Sequence, residues 1–191
     1  AGHIVIFDEI KDDAPGAIAA LKKNGIRRTY MLTGDKKEVA DKTAQALGID
    51  KAYSELLPED KVAQFESILA ECKKKNETVM YVGDGINDAP VLARADVGIA
   101  MGALGSDAAI EAADVVIMSG ETSKLSEAIA IAKRTIVIVH QNIVFALAVK
   151  FGIMISSVFG FANMWVAVFG DVGVAFLAVL NALRLLKNKK E

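Results

Sequence analysis

Two long apolar spans constrain the fold of this chain more than any other feature. Residues 136–161 are largely apolar apart from the run 140–142 and Lys150, and residues 164–183 are broken only by Asp171 and Asn181. Each span is about 20 residues long, enough for a helix to cross a bilayer. The pattern predicts a membrane hairpin of two helices joined by a turn at 160–163. Two helices buried in a soluble core are the alternative.

Basic residues flank this hairpin on its outer sides. Lys133 and Arg134 precede the first span, the turn contains no basic residue, and four basic residues follow the second span: Arg184, Lys187, Lys189 and Lys190. Because cytoplasmic flanks carry the excess of Lys and Arg, we expect the N-terminal part and the C-terminus to be cytoplasmic. The helices are predicted at about 137–160 and 164–186, with a linking helix before them, in a region 123–191 that makes the protein multi-pass in the plasma membrane.

The remaining region, residues 1–122, alternates short apolar runs with helix-like segments. Strands are predicted at 3–7, 28–32, 52–54, 78–82, 96–100 and 114–118. Helices are predicted from a candidate cap at 12–13 to Lys23, over 36–47, over 58–75, and from Ser106 to Ala112. This alternation predicts an α/β fold with a parallel sheet covered by helices on both faces.

Composition excludes several classes of protein. The formal net charge is −2, so no global basic field is available for nucleic acid. The single cysteine, Cys72, excludes an internal disulfide framework and a paired-cysteine metal site.

The stretch Gly83–Pro90, with the sequence GDGINDAP, directly follows one of the predicted strands. Open α/β sheets bind ligands at the carboxyl ends of their strands. The carboxylates of Asp84 and Asp88 suit a hard cation such as Mg²⁺, and the amide of Asn87 can donate to an oxyanion. The stretch therefore predicts a metal and phosphate site, with a plain acidic turn as the alternative.

Two further motifs follow the same pattern. Thr33-Gly34-Asp35 comes after a predicted strand, where a hydroxyl and backbone N–H groups suit an anion, although a simple capping turn has the same composition. Lys61 lies in the first turn of a helix, against the helix dipole, which favours a role other than helix stability over that of a solvated surface lysine. Together the three motifs supply the groups that hold a phosphoryl group with Mg²⁺.

In this order and spacing, the three motifs resemble those of P-type ATPases, members of the haloacid dehalogenase-like superfamily, over essentially the whole chain. The resemblance implies a Rossmann-type phosphorylation domain over 1–122 that uses ATP and Mg²⁺ through an aspartyl phosphate. It implies that Asp84 is the Mg²⁺ ligand, supported by Asp88. It also implies that four residues hold the aspartyl phosphate with Asp88: Thr33, Gly34, Lys61 and Asn87. Asp35 and Asp8 resemble hinge and nucleotide-side positions of the family.

Several family motifs are absent from the 191 residues: Asp-Lys-Thr-Gly-Thr with its phosphorylated aspartate, the nucleotide-binding insertion, Thr-Gly-Glu and Cys-Pro-Cys. In the family fold the strand that carries the aspartate is central, so its neighbours here would flank an empty slot in an incomplete sheet. We expect a C-terminal piece of a longer pump, inactive without its upstream remainder. A non-catalytic truncated or split piece that binds Mg²⁺ and phosphate is the alternative. A soluble phosphatase of the superfamily is disfavoured, because it would keep its nucleophile and lack the hairpin.

Two charges interrupt the apolar spans at matching depth. Lys150 lies about 10 residues before Gly160 and Asp171 about 8 after Asn163, which places both near the bilayer midplane. Charges at this depth are functional or paired, so we expect Lys150 to pair with Asp171 as its counter-charge. Gly173 is expected to allow close approach of the helices. A purely structural ion pair is the alternative.

The transported ion follows from a second resemblance. Asn142, Lys150 and Asp171-Val172-Gly173 resemble residues of the zinc-, cadmium- and lead-exporting ATPases, whereas copper exporters carry neutral residues at these places. A divalent ion needs a compensating anion, which Asp171 supplies. The resemblance therefore implies Zn²⁺ and Cd²⁺ as transported cations bound at Asp171, with Pb²⁺ as a further candidate and Cu⁺ as the alternative.

Overall fold

The computed structural model describes residues 10–84, 86–102, 107–161 and 163–187. The chain divides between Ser126 and Glu127 into two compact units. The predicted first strand, Asp8 and the predicted cap at Ser106 lie outside the described residues.

Five helices are described in the first unit: α1 (Ala14–Lys23), α2 (Lys37–Leu47), α3 (Pro58–Lys74), α4 (Ala89–Leu92) and α5 (Asp107–Ala112). Prolines occupy the first turns of α1, α3 and α4, where the fixed φ favours the helix and the missing N–H costs nothing. Gly48 ends α2 with a φ of +68°, a left-handed conformation that glycine adopts without strain.

The predicted side-chain cap of α1 is wrong. Asp13 stands at the cap position, but its side chain does not bond to the helix. Instead, its Oδ2 accepts a hydrogen bond from the backbone N–H of Ser123 at 3.0 Å. The Asp13 carboxylate therefore makes a tertiary hydrogen bond in place of the local one expected with α1.

Five short strands alternate with these helices: β1 (Tyr30–Leu32), β2 (Lys51–Tyr53), β3 (Met80–Gly83), β4 (Val97–Met101) and β5 (Val115–Ile117). Every pairing is parallel, with β1 beside β2 and the order β3-β4-β5 in the second sheet. The predicted parallel α/β architecture is therefore confirmed. Parallel strands also align their carboxyl ends, which brings the loops after the strands of each sheet to one edge.

The described strands form two sheets, because β1 and β3 are not paired with each other. A groove of about 630 Å³ is lined by residues of both strands together with side chains from the surrounding helices, among them Leu21, Phe65, Ile68 and Cys72. This separation agrees with the incomplete sheet expected from the sequence.

Residues that precede and follow the acidic loop in the sequence pack into the same core of the first unit. Tyr81 on β3 and Val91 and Leu92 on α4 are buried together with Phe65 of α3. The rings of Phe65 and Tyr81 meet edge to face at a centroid distance of 5.4 Å. The strand that enters the loop and the helix that leaves it are thus both anchored by apolar packing.

Helix α6 (Ser123–Val158) is uninterrupted over 36 residues, and most of it belongs to the second unit. After a turn come α7 (Met164–Val168), a π-helical segment (Phe169–Gly173), α8 (Val174–Ala182) and α9 (Arg184–Lys187). The spans Ser123–Val158 and Met164–Leu186 are long and apolar enough to cross a membrane. The two predicted apolar helices are confirmed.

Close approach of the two helices occurs at Gly170, not at Gly173 as predicted. A Cβ on Gly170 would overlap the side chain of Ile153 on α6, with Val149 beside it. A Cβ on Gly173 would meet only the ring of Phe169, on the preceding turn of its own helix, at 3.4 Å. The π-helical turn changes which residues face α6, and periodicity cannot show this.

Candidate active site

An ion pair joins the beginning of α3 to the acidic loop. Lys61 Nζ donates to Asp88 Oδ1 at 3.3 Å, and the two side chains are only 20% and 14% exposed. Leu57 N–H donates to Asp60 Oδ2 at 3.1 Å, which fixes the helix start that presents Lys61. Lys61 is therefore a partly buried cation, not a solvated surface lysine.

Gly83 allows Asp88 to fold back onto the end of β3. A Cβ at Gly83 would lie 2.7 Å from Asp88 Cβ and 2.9 Å from its Oδ2, closer than side-chain atoms approach. Only a glycine at this position permits the contact. The spacing of Gly83 and Asp88 thus has a steric reason, independent of any ligand.

Tyr81 is a residue of this site that the sequence analysis missed. Its hydroxyl donates to Asp88 Oδ1 at 2.9 Å. Burial first, and then the negative charge of Asp88, raise the pKa of Tyr81 well above its ordinary value, so the hydroxyl stays a proton donor. The sequence pattern explains Tyr81 as an aromatic residue of the strand and assigns no role to its hydroxyl. A tyrosine among buried strand positions just before an acidic loop was the available signal, since buried hydroxyls require partners.

Asp84 and Asn87 lie exposed in the loop that follows the carboxyl end of β3. Within the described residues, no group of three or more acidic, histidine or cysteine side chains could hold a metal ion by itself. Mg²⁺ is commonly held by one or two carboxylates, waters and the oxygens of a phosphate. The carboxylates of Asp84 and Asp88 fit that requirement.

The loop at residues 33–35 is held by hydrogen bonds within itself and by backbone hydrogen bonds to residues 53–56. Thr33 Oγ1 donates to Asp35 Oδ2 at 2.7 Å and accepts from the N–H of Asp35 at 3.1 Å. Thr33 N–H donates to the carbonyl of Tyr53 at 2.9 Å, and a Cβ on Gly34 would lie 3.3 Å from the carbonyl of Leu56. Across the described ranges, no hydrogen bond joins this loop to Asp84 or Asp88. The structure therefore brings Lys61 and Asp88 together and leaves the Thr33 hydroxyl engaged with Asp35.

A second pair of charges lies in the hairpin. Lys150 Nζ is 3.3 Å from Asp171 Oδ1, and the two side chains are 63% and 75% exposed on this unit. Asp171 stands in the π-helical segment, a distortion that is frequent at functional sites.

An amide network ties the same two helices together. Asn142 Nδ2 donates to the carbonyl of Ala178 at 3.2 Å, and Asn181 Nδ2 donates to Asn142 Oδ1 at 2.9 Å. Asn181 was identified in the sequence only as a polar interruption. Its partner Asn142 lies on another helix, far away in the sequence, so the hydrogen bond could not be predicted from the local pattern.

Several known proteins are similar in sequence to this chain. A family model for haloacid dehalogenase-like hydrolases matches residues 1–96. A cadmium, zinc and cobalt-transporting ATPase of Bacillus subtilis is 57% identical over all 191 residues, which are 27% of that protein. A zinc-transporting ATPase of Synechocystis is 55% identical over 97% of this chain and 26% of its own length.

Solved structures agree with these sequence matches. The crystal structure of a zinc-transporting PIB-type ATPase in an E2.Pi state matches with a TM-score of 0.84 and 36% identity, over 94% of this chain and 28% of that one. The chain thus spans about a quarter of the length of the relatives it matches. It belongs to the haloacid dehalogenase-like hydrolase family, and over nearly its whole length it is similar to part of the cadmium- and zinc-transporting ATPases.

Proposed function

We propose that this chain is part of a P-type ATPase that exports Zn²⁺ and Cd²⁺, with Pb²⁺ as a further candidate, by way of an aspartyl phosphate. The contact of Lys61 with Asp88 beside Asp84 carries the proposal, because it places a cation and two carboxylates at the end of a parallel strand. The transport functions named for the relatives support it.

The residues of the first unit have distinct tasks in this proposal. Lys61 offsets the negative charge of the phosphoryl group, and Asn87 donates to its oxygens. Mg²⁺, when bound, would neutralise the negative charge of the phosphoryl group. Asp84 and Asp88 hold that ion. Thr33 and Gly34 bind the phosphoryl group once the Thr33 hydroxyl turns from Asp35 to the incoming oxygen.

The groove between β1 and β3 indicates where the phosphorylated aspartate enters. Among the described residues, β1 and β3 each have one edge without a paired strand, and the groove side chains are mainly apolar. Such a surface fits one more parallel strand, which would satisfy both edges. We propose that the remainder of the pump supplies this strand with its aspartate, and that Asp35 and Asp8 serve as hinge and nucleotide-side residues. The 191 residues alone should then show no ATP hydrolysis.

The hairpin carries the proposed ion specificity. A charge inside a bilayer is costly unless it is covered and paired, yet Lys150 and Asp171 are both largely exposed on this unit. Further helices of the pump are proposed to cover them, with the two outer ends of the hairpin in the cytoplasm. Asp171 then exchanges Lys150 for a divalent cation, which needs a compensating anion in the bilayer more than monovalent Cu⁺ does.

Phosphorylation of the intact pump tests the catalytic part of this proposal. The purified full-length protein in detergent is incubated with radiolabelled ATP, with and without Zn²⁺. We expect a Zn²⁺-dependent, acid-stable phosphoenzyme that hydroxylamine cleaves, as an acyl phosphate requires. ATP hydrolysis without any such intermediate would contradict the proposal. Hydrolysis by the 191-residue chain alone would contradict the need for the remainder of the pump.

A further inference from the structure

We propose that Tyr81 is a positioning residue that holds the Asp88 carboxylate in the orientation needed for Mg²⁺. The inference rests on the proposed function, because it assigns Asp88 to the Mg²⁺ site. It adds a residue outside the three sequence motifs. Tyr81 touches neither phosphate nor metal in this account and acts only through Asp88.

Two donors from different elements converge on one oxygen of Asp88. The Tyr81 hydroxyl on β3 lies 2.9 Å from Oδ1, and Lys61 Nζ on α3 lies 3.3 Å from the same atom. The position of a Cβ on Gly83 would be 2.9 Å from Oδ2, so the other oxygen lies close against the strand. The carboxylate is therefore restrained on three sides, and its rotation about χ2 is limited.

Tyr81 is itself held rigidly enough for this task. Its side chain is buried at 9% exposure, and its ring packs edge to face on Phe65, which is 2% exposed. Charge-assisted hydrogen bonds are shorter and stronger than neutral ones, so a fixed hydroxyl on a carboxylate oxygen is an effective restraint.

Without the hydroxyl, Lys61 is the remaining side-chain partner of the Asp88 carboxylate within the described part of the chain. The carboxylate then gains freedom to turn towards the ammonium group and to form a closer pair. An Asp88 carboxylate that is paired more fully with Lys61 offers less negative charge to Mg²⁺. The affinity of the site for Mg²⁺ should therefore fall. The ring packing with Phe65 is unaffected by removal of the hydroxyl alone.

The variant Tyr81→Phe in the full-length pump makes this change. The first readout is the rise in unfolding temperature caused by Mg²⁺ with beryllium fluoride as the phosphate mimic, titrated over Mg²⁺ concentration. We expect the Mg²⁺ midpoint to rise by about five- to ten-fold, an effect of about 1–1.4 kcal/mol. The unfolding temperature without Mg²⁺ should change little. The matched control is Tyr30→Phe, which removes a hydroxyl from β1 while keeping the ring stacked on Tyr53.

A double-mutant cycle separates an effect through Asp88 from a general loss of packing. In an Asp88→Asn background, Tyr81→Phe should shift the Mg²⁺ midpoint no further. A Tyr81→Phe midpoint within about twofold of the wild type would overturn the inference. A lower unfolding temperature of Tyr81→Phe with an unchanged Mg²⁺ midpoint would also overturn it, because that result would show that the hydroxyl contributes only to stability. Phosphoenzyme formation by the wild type tests the proposed function separately, and the Mg²⁺ midpoint decides the role of Tyr81 whichever result that assay gives.

Discussion

Lys150 and Asp171 face each other at 3.3 Å, one on the regular helix α6 and the other on a π-helical turn. The π-helical turn changes the direction of the residues around it, and it presents Asp171 towards α6 with Gly170 packed against Ile153. This arrangement assigns separate roles to adjacent residues, charge to Asp171 and helix contact to Gly170.

Removal of the Asp171 charge should abolish metal-stimulated ATP hydrolysis. Asp171→Asn in the intact pump leaves Lys150 without its counter-charge and the ion without a compensating anion. Zn²⁺-stimulated ATPase activity is the measurement, with Ser156→Ala as the control, because the Ser156 hydroxyl donates to the carbonyl of Gly152 within its own helix. Full Zn²⁺ stimulation of Asp171→Asn would remove Asp171 from the ion site.

A bulky residue at Gly170 should separate the two helices. Gly170→Leu must displace the Ile153 side chain, and overpacking of this kind costs about 1–3 kcal/mol. Thermal unfolding of the pump in detergent measures the loss. Gly152→Leu is the matched control on α6, because a Cβ there meets nothing within 4 Å. The loss should shrink in an Ile153→Ala background, and equal losses for both glycine variants would contradict this packing.

Replacement of Lys61 should block phosphorylation. Lys61→Met removes the cation at Asp88, and loss of one group that stabilises a developing charge typically costs about 10²- to 10³-fold in rate. The initial rate of phosphoenzyme formation from ATP is the measurement. Lys75→Met is the control at the residue that follows the same helix, because Lys75 pairs with Glu71 at the surface. Equal rates for the two variants would show that Lys61 has no part in the reaction.

A surface carboxylate should make stability depend on pH in the acid range. The hydrogen bond from Lys22, followed by those from Thr29, lowers the pKa of Asp50 to about 2 from its ordinary 3.8. The stabilisation is therefore complete above pH 3.8 and is lost as the pH falls towards 2. Because the side chain is 42% exposed, Asp50→Asn should cost only about 0.5–1 kcal/mol at pH 7.

The difference between Asp50→Asn and the wild type should shrink between pH 4 and pH 2. Thermal unfolding in detergent across this range measures it, with Asp41→Asn as the control at an exposed position of α2. A constant difference at every pH would contradict the assignment of the lowered pKa.

Local patterns predicted the parts of the fold that depend on local physics. Proline at position 58 starts α3, glycine at 48 ends α2, and the apolar run before Gly83 forms a parallel strand. The two apolar helices followed from length and composition alone. In each case the determinant lies within a few residues of the element it specifies.

The features that sequence missed depend on residues far apart in the chain. Asp13 bonds to Ser123, 110 residues away, and Asn142 bonds to Asn181, 39 residues away. The role of Gly170 depends on the π-helical turn Phe169–Gly173 in which it lies. The aromatic ring of Tyr81 alone accounts for its place in the strand pattern, so the pattern gives no sign that the hydroxyl has a role. None of these follows from periodicity.

Metal-stimulated ATP hydrolysis by the intact pump in proteoliposomes tests the central claim most directly. The rate is measured with Zn²⁺, Cd²⁺, Pb²⁺ and Cu⁺ in turn, each at matched free concentration. We expect stimulation by Zn²⁺ and Cd²⁺ and none by Cu⁺, because Asp171 compensates a divalent charge. Stimulation by Cu⁺ alone, or equal rates with and without any of the four ions, would contradict the account.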